Sequence, residues 1–248
     1  MRNIRLVIEY DGSRYDGWQV NKQYAKKPSI QEKIEEVLAK MLGKETELIG
    51  ALRTESGVHA YEQVANFKAE TDMKPFEIKH YLNRYLPMDI AVYRVDDVPV
   101  DFHAGFNAKG FVYEYKVSLS EVPSVFERKY CYHLFKKPDI ESMKKASKFI
   151  LGKQDFKVFS DNKRMKKSTV RDIRRIDIYA DNNEMAITIE ADDFWPNMAR
   201  IIIGTLLDVG SGKIKAEDIK SIIDSKDREK AGEIAEAKGL FLREVMYQ

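Results

Sequence analysis

A chain of 248 residues has material for one large domain or two small ones, and 44% apolar with 33% charged residues excludes a fibrous or disordered protein. The single cysteine, Cys131, excludes an internal disulfide and a cysteine metal cluster, while a net charge of +2 says little about partners. No apolar run approaches a membrane span and the N-terminus lacks a signal-peptide cleavage pattern, so a cytoplasmic location is expected.

Residues 4–10, IRLVIEY, alternate with period two and predict a strand. SIQEKIEEVLAKML opens on a capping box, Ser29 with Glu32, and puts Ile30, Ile34, Val37, Leu38 and Met41 on one helical face. Gly43 stops that helix. Strand-like ETELIGA (45–51) follows, then the polar loop ALRTESGVHAYEQV and strand-like QVANFKAE (63–70). KPFEIKHYLNRYL (74–86) reads as a helix and DIAVYRVDDV (89–98) as a strand, completing β-α-β-β-α-β.

The second half repeats that order. FVYEYKVSL is a strand and DIESMKKASKFILG a helix; VRDIRRIDIYA and NEMAITIEA form a hairpin around Asn182–Asn183; NMARIIIGTLLDVG is a helix and GLFLREVMY the closing strand. Two short helices are expected near 215–224 and 227–236. The fold predicted is α+β: two ferredoxin-like halves, 1–105 and 106–248, forming one broad antiparallel sheet with helices on one face and a cleft between the halves. The boundary falls where PVDFHAGFNAKG breaks the periodicity.

Function must come from the loops. In the loop at 51–64, Glu55 either caps amides or pairs with Arg53, with His59 packing at a strand start, or it does chemistry. The four histidines, His59, His80, His103 and His133, show no tight helical spacing, which argues against a metal site. A phosphate loop and a nucleophile elbow are both missing from the sequence. What remains is a carboxylate between strands, with Arg53 beside it and aromatics elsewhere, a set suited to chemistry on a nucleobase. From Lys163 to Arg175, seven basic residues face the single acid Asp172, either as a solvated surface or, through Lys163, Arg164, Lys166 and Lys167, as contacts for RNA.

These stretches resemble the tRNA pseudouridine synthase A family over essentially the whole chain. The resemblance runs through IEYDGSRYDGWQ, SIQEKIEEVL, the loop ALRTESGVHA (family pattern G-R-T-D-x-G-V-H-A), LNRYLPMDIAV, DFHAGFNAKGFVYEYKV, LGKQDFKVFS, MARIIIGTLLDVGSGKI, KDREKAG and KGLFLREVMY. It implies isomerisation of uridine to pseudouridine in the tRNA anticodon arm, at positions 38 to 40, by a homodimer without cofactor or metal. It places Glu55 at the catalytic carboxylate position, Tyr113 against the base and Arg200 as the partner of the carboxylate. Arg53 would hold the displaced nucleotide, with Gln19, Thr54, His59 and His103 as further RNA contacts. The chain departs from the family at Glu55 (aspartate), Leu52 and Glu62 (glycines), Gly105 (arginine) and Asn21 (glutamine). The alternative these departures leave is a weak or inactive tRNA-binding paralogue.

Overall fold

Alternation in the first residues does produce a strand, β1 (Arg2–Tyr10), whose Ile4, Leu6 and Ile8 are buried. The computed structural model describes residues 1–19, 25–161 and 168–248. After β1 come α1 (Ile30–Leu42), β2 (Ile49–Gly50), β3 (His59–Ala69), α2 (Pro75–Tyr85) and β4 (Ile90–Val98). The second run is β5 (Gly110–Ser118), β6 (Tyr132–His133), α3 (Ile140–Ile150), β7 (Gly152–Asp155), β8 (Val170–Ala180), β9 (Glu184–Ala191), α4 (Met198–Gly210), α5 (Ile219–Ser225) and β10 (Leu240–Met246). The chain divides into two compact units, Met1–Lys109 with Phe241–Gln248, and Gly110–Leu240.

In the first unit the strand order is β4-β1-β3, with β2 on the far edge of β3 at Ala65 and Asn66, which is the ferredoxin-like arrangement. Ser29 Oγ accepts from the Glu32 amide at 3.2 Å and starts α1, and Gly43 ends it with φ 71°. The face carrying Ile30, Ile34, Val37 and Leu38 is buried, each such side chain contributing on the order of 2 kcal/mol. β10 closes the second repeat by chain order, yet it belongs to the first unit. There Phe241 and Leu242 pair with His59 and Ala60 of β3.

In the second unit the order is β5-β9-β8-β7, with β6 against the end of β5. Asp181 Oδ1 accepts from the amides of Asn183 and Glu184, both at 2.9 Å, and closes the β8–β9 hairpin. α4 is buried along nearly its whole length, as its apolar sequence requires.

Four expectations need correction. The sheet expected as antiparallel is mixed, since β3–β10 and β5–β6 pair in parallel. ETELIGA yields only the two residues of β2, because the Leu48 amide donates to Glu35 Oε1 at 3.0 Å instead of to a strand. The helix expected near 227–236 is a single turn, Arg228–Lys230, after which the Gly232 amide is taken by Thr205 Oγ1 at 2.9 Å. The short strands β6 and β7 were not anticipated. No helix among the described residues is long and apolar enough to cross a membrane.

Candidate active site

The loop at 51–58 owes its position to the segment YDGSRYDGW, residues 10–18. Trp18 N donates to Thr54 O at 3.1 Å, Gly57 N to Tyr15 O at 3.4 Å and Ser56 Oγ to Tyr15 O at 3.2 Å. Two glycines allow this approach. A side chain at Gly12 would begin 2.0 Å from Val58 O, and one at Gly17 would begin 2.2 Å from Thr54 O. Gly17 also has φ 86°, which disfavours any other residue. The loop is closed from its other ends by Ala51 N on Val64 O (2.8 Å), Gln63 Nε2 on Leu52 O (2.8 Å) and Val58 N on Glu55 O (3.1 Å). Asp16 ties the next segment to the same cradle. Its Oδ2 accepts from the Lys26 and Lys27 amides, both 2.9 Å away, and these bonds hold its carboxyl below the usual carboxylate range.

On this frame Glu55 is half-buried and Arg53 exposed. Thr54 is 3% exposed, and its Oγ1 lies 2.7 Å from the buried Tyr10 hydroxyl. Burial lifts the Tyr10 phenol above its ordinary range; the Thr54 and Gln63 side chains oppose that shift and the Glu55 charge adds to it. The Glu55 carboxylate therefore acts on the same buried polar cluster. His59 is 1% exposed: its Nδ1 accepts from the Gly12 amide at 3.2 Å, lies 3.2 Å from Asp11 Oδ1, and its ring stacks on Phe241 at 4.7 Å. Thr54 and His59 thus sit beneath the loop, while Arg53 and Gln19 are on the surface.

His103 lies in the segment after β4. A buried asparagine pair anchors that segment: Asn3 Nδ2 donates to Phe102 O (2.8 Å), Asn66 Nδ2 to Asn3 Oδ1 (2.9 Å) and Ala104 N to Asn66 Oδ1 (2.8 Å). Gly105 comes close to the start of the loop at 51–58, its would-be side chain 3.3 Å from Ala51 O.

In the second unit Tyr113, on β5, is 3% exposed and meets Phe194 edge-on at 5.1 Å. Tyr115 is fully buried, and burial followed by the Glu236 charge pushes its phenol upward. Arg200, on α4, is half-buried; Nε donates to Ala235 O at 2.7 Å and Nη1 to Asn197 Oδ1 at 3.0 Å. Both acceptors are neutral, so they orient the guanidinium without cancelling its charge. Asn197 has φ 62°, and its Nδ2 donates to Asp161 Oδ2 at 2.7 Å.

Within the basic run, Lys163, Arg164, Lys166 and Lys167 lie outside the described residues, as does Asn21. The three arginines that are described are engaged with acids. Arg171 bonds Asp193 at 3.0 Å while stacking on Trp195 at 3.9 Å, Arg174 lies 3.9 Å from Glu190, and Arg175 pairs with Asp177 at 2.9 Å. Sequence reasoning missed the roles of Gly12, Gly17, Tyr10 and Asn197; the doubled Tyr-Asp-Gly of residues 10–17 was the available signal for the first three.

The fold agrees with what comparison finds. The family model described as tRNA pseudouridine synthase matches residues 6–107 and 146–248, and the chain belongs to that family. Among curated relatives, "tRNA pseudouridine synthase A 2" of Clostridium perfringens is 46% identical, with 100% of each chain covered. The protein of that name from Bacillus anthracis is 42% identical over 100% of both chains, and the one from Clostridium tetani 44% over 99% of both.

Proposed function

We propose that this chain converts uridine to pseudouridine in the anticodon stem-loop of tRNA, at positions 38 to 40, with Glu55 as the catalytic carboxylate. The observation that carries the reading is the backbone-clamped loop, which fixes Glu55 on a rigid frame between β2 and β3. A carboxylate that attacks ribose C1′, or assists departure of the base, must be held in near-attack geometry. In the isomerisation the N1–C1′ bond breaks, uracil turns, a C5–C1′ bond forms, C5 loses its proton and N1 gains one. No atom is added or removed overall, so no cofactor is needed.

In this reading Tyr113 stacks on the base and takes the C5 proton, Arg200 keeps the carboxylate ionised, and Arg53, Gln19 and His103 contact the RNA. Thr54 and His59 serve from beneath, holding the loop. Glutamate moves the carboxylate by about 1 Å relative to aspartate, a shift able to change rate by roughly 10²-fold unless the loop compensates. Leu52 is where such compensation would start, since its carbonyl is the one gripped by Gln63. The chain works as a homodimer, checked by its mass in solution from light scattering.

The test is tritium release from tRNA labelled at uridine C5, with the products mapped by position. Release confined to positions 38 to 40 is expected. Salt-dependent tRNA binding without release would instead make the chain a binding paralogue.

A further inference from the structure

Phe106 is 86% exposed, and its ring lies nearly parallel to that of His103, with centroids 4.0 Å apart and 20° between planes. Exposure of a single apolar residue is ordinary; preorganisation is not. His103 Nδ1 accepts from the amides of Gly105 and Phe106, each at 3.1 Å, and the His103 amide donates to Asn107 Oδ1 at 2.7 Å. Both amides on Nδ1 fix the plane and orientation of the His103 ring from its own backbone. Beneath it, Tyr247 donates to Ala104 O at 2.8 Å and the Asn3–Asn66 pair fixes the backbone. The two rings are thus set before any ligand arrives, which lowers the ordering cost of binding. Their place is beside the loop that carries Glu55, since a side chain at Gly105 would start 3.3 Å from Ala51 O.

We propose that the Phe106–His103 stack is a platform for an unpaired base of the bound RNA, next to the nucleotide being modified. A flat aromatic surface accepts the face of any base and suits a site that displaces nucleotides from a stack. This rests on tRNA being the substrate. The approach to Ala51, at the start of the loop that carries Glu55, favours RNA over a second copy of the chain as occupant.

The experiment uses the full chain and its Phe106→Ala, Phe106→Leu and Phe106→Trp variants, with anticodon stem-loops carrying 2-aminopurine at one unpaired position at a time. Wild type should quench the probe at one such position, Ala and Leu should lose that quench, and Trp should keep it. Affinity for tRNA should fall about 10-fold in Phe106→Ala, with the melting temperature unchanged because the ring is solvent-exposed. Equal quench and affinity in Phe106→Ala would overturn the platform while leaving the reading of the site intact. A change of solution mass in Phe106→Ala with unaltered RNA affinity would make the ring a subunit contact and overturn it as well. Failure of wild type to bind tRNA would overturn the reading of the site, and the platform with it.

Discussion

The two groups proposed to carry the chemistry, Glu55 and Arg200, are held by different means. Glu55 rides on a loop gripped by backbone bonds to Tyr15 and Trp18 and packed against Gly12 and Gly17, so the constraint lies in the main chain and in the lack of two side chains. Arg200 stands on a buried helix, and its guanidinium is aimed by side-chain and carbonyl acceptors, Asn197 Oδ1 and Ala235 O. A main-chain clamp tolerates a change of the residue it presents, which is how glutamate can occupy this position without loss of the loop. A side-chain tether transmits any substitution directly to the charge it aims.

The comparison breaks most readily at Gly17. Gly17→Ala puts a methyl group 2.2 Å from Thr54 O and forces alanine into the left-handed region. Stability should fall by about 2–3 kcal/mol in urea unfolding, and kcat/KM by roughly 10²-fold. Unchanged kinetics would show that the clamp does not position Glu55. Asn197→Gly sharpens the other side: glycine accepts φ 62° at no strain but removes the acceptor for Nη1. Turnover should drop by about 10-fold while the urea midpoint moves little, since relief of strain offsets the lost bonds; a drop in stability without a drop in turnover would assign Asn197 to folding alone. Tyr10→Phe leaves the buried Thr54 hydroxyl without its partner and should cost about 1 kcal/mol.

The smallest effect is alkaline. Burial raises the Tyr10 and Tyr115 phenols above their unfolded value, so the protonated form is the one the fold favours. That stability is complete below pH about 10 and is lost as pH rises beyond it towards the folded values. Thermal melts between pH 8 and 11 should show the decline, less steep in Tyr10→Phe; parallel slopes in the two proteins would exclude Tyr10 as a source.

Much of the fold was legible because it rests on local pattern. Ser29 and Gly43 bracket α1, and Asp181–Asn183 marks the β8–β9 turn. The failures share a cause. β2 shortens because Glu35, thirteen residues upstream, takes the Leu48 amide, and the second short helix is lost because Thr205 captures the Gly232 amide. Such long-range hydrogen bonds leave no periodic trace. The site divides in the same way. The loop at 51–59 was recognisable from its motif, but its support by Gly12 and Gly17 is a contact across some forty residues. The burial of Thr54 and His59, which turns them from surface groups into supports, likewise follows from packing.

The central claim is that Glu55 is a working catalytic carboxylate, and pseudouridine formation on unmodified tRNA by the parent, Glu55→Gln and Glu55→Asp proteins tests it most directly. The account predicts turnover by the parent, a loss of about 10⁴-fold or more in Glu55→Gln with tRNA affinity retained, and activity in Glu55→Asp. Turnover in Glu55→Gln equal to the parent, or a parent that binds tRNA and forms no pseudouridine, would contradict it.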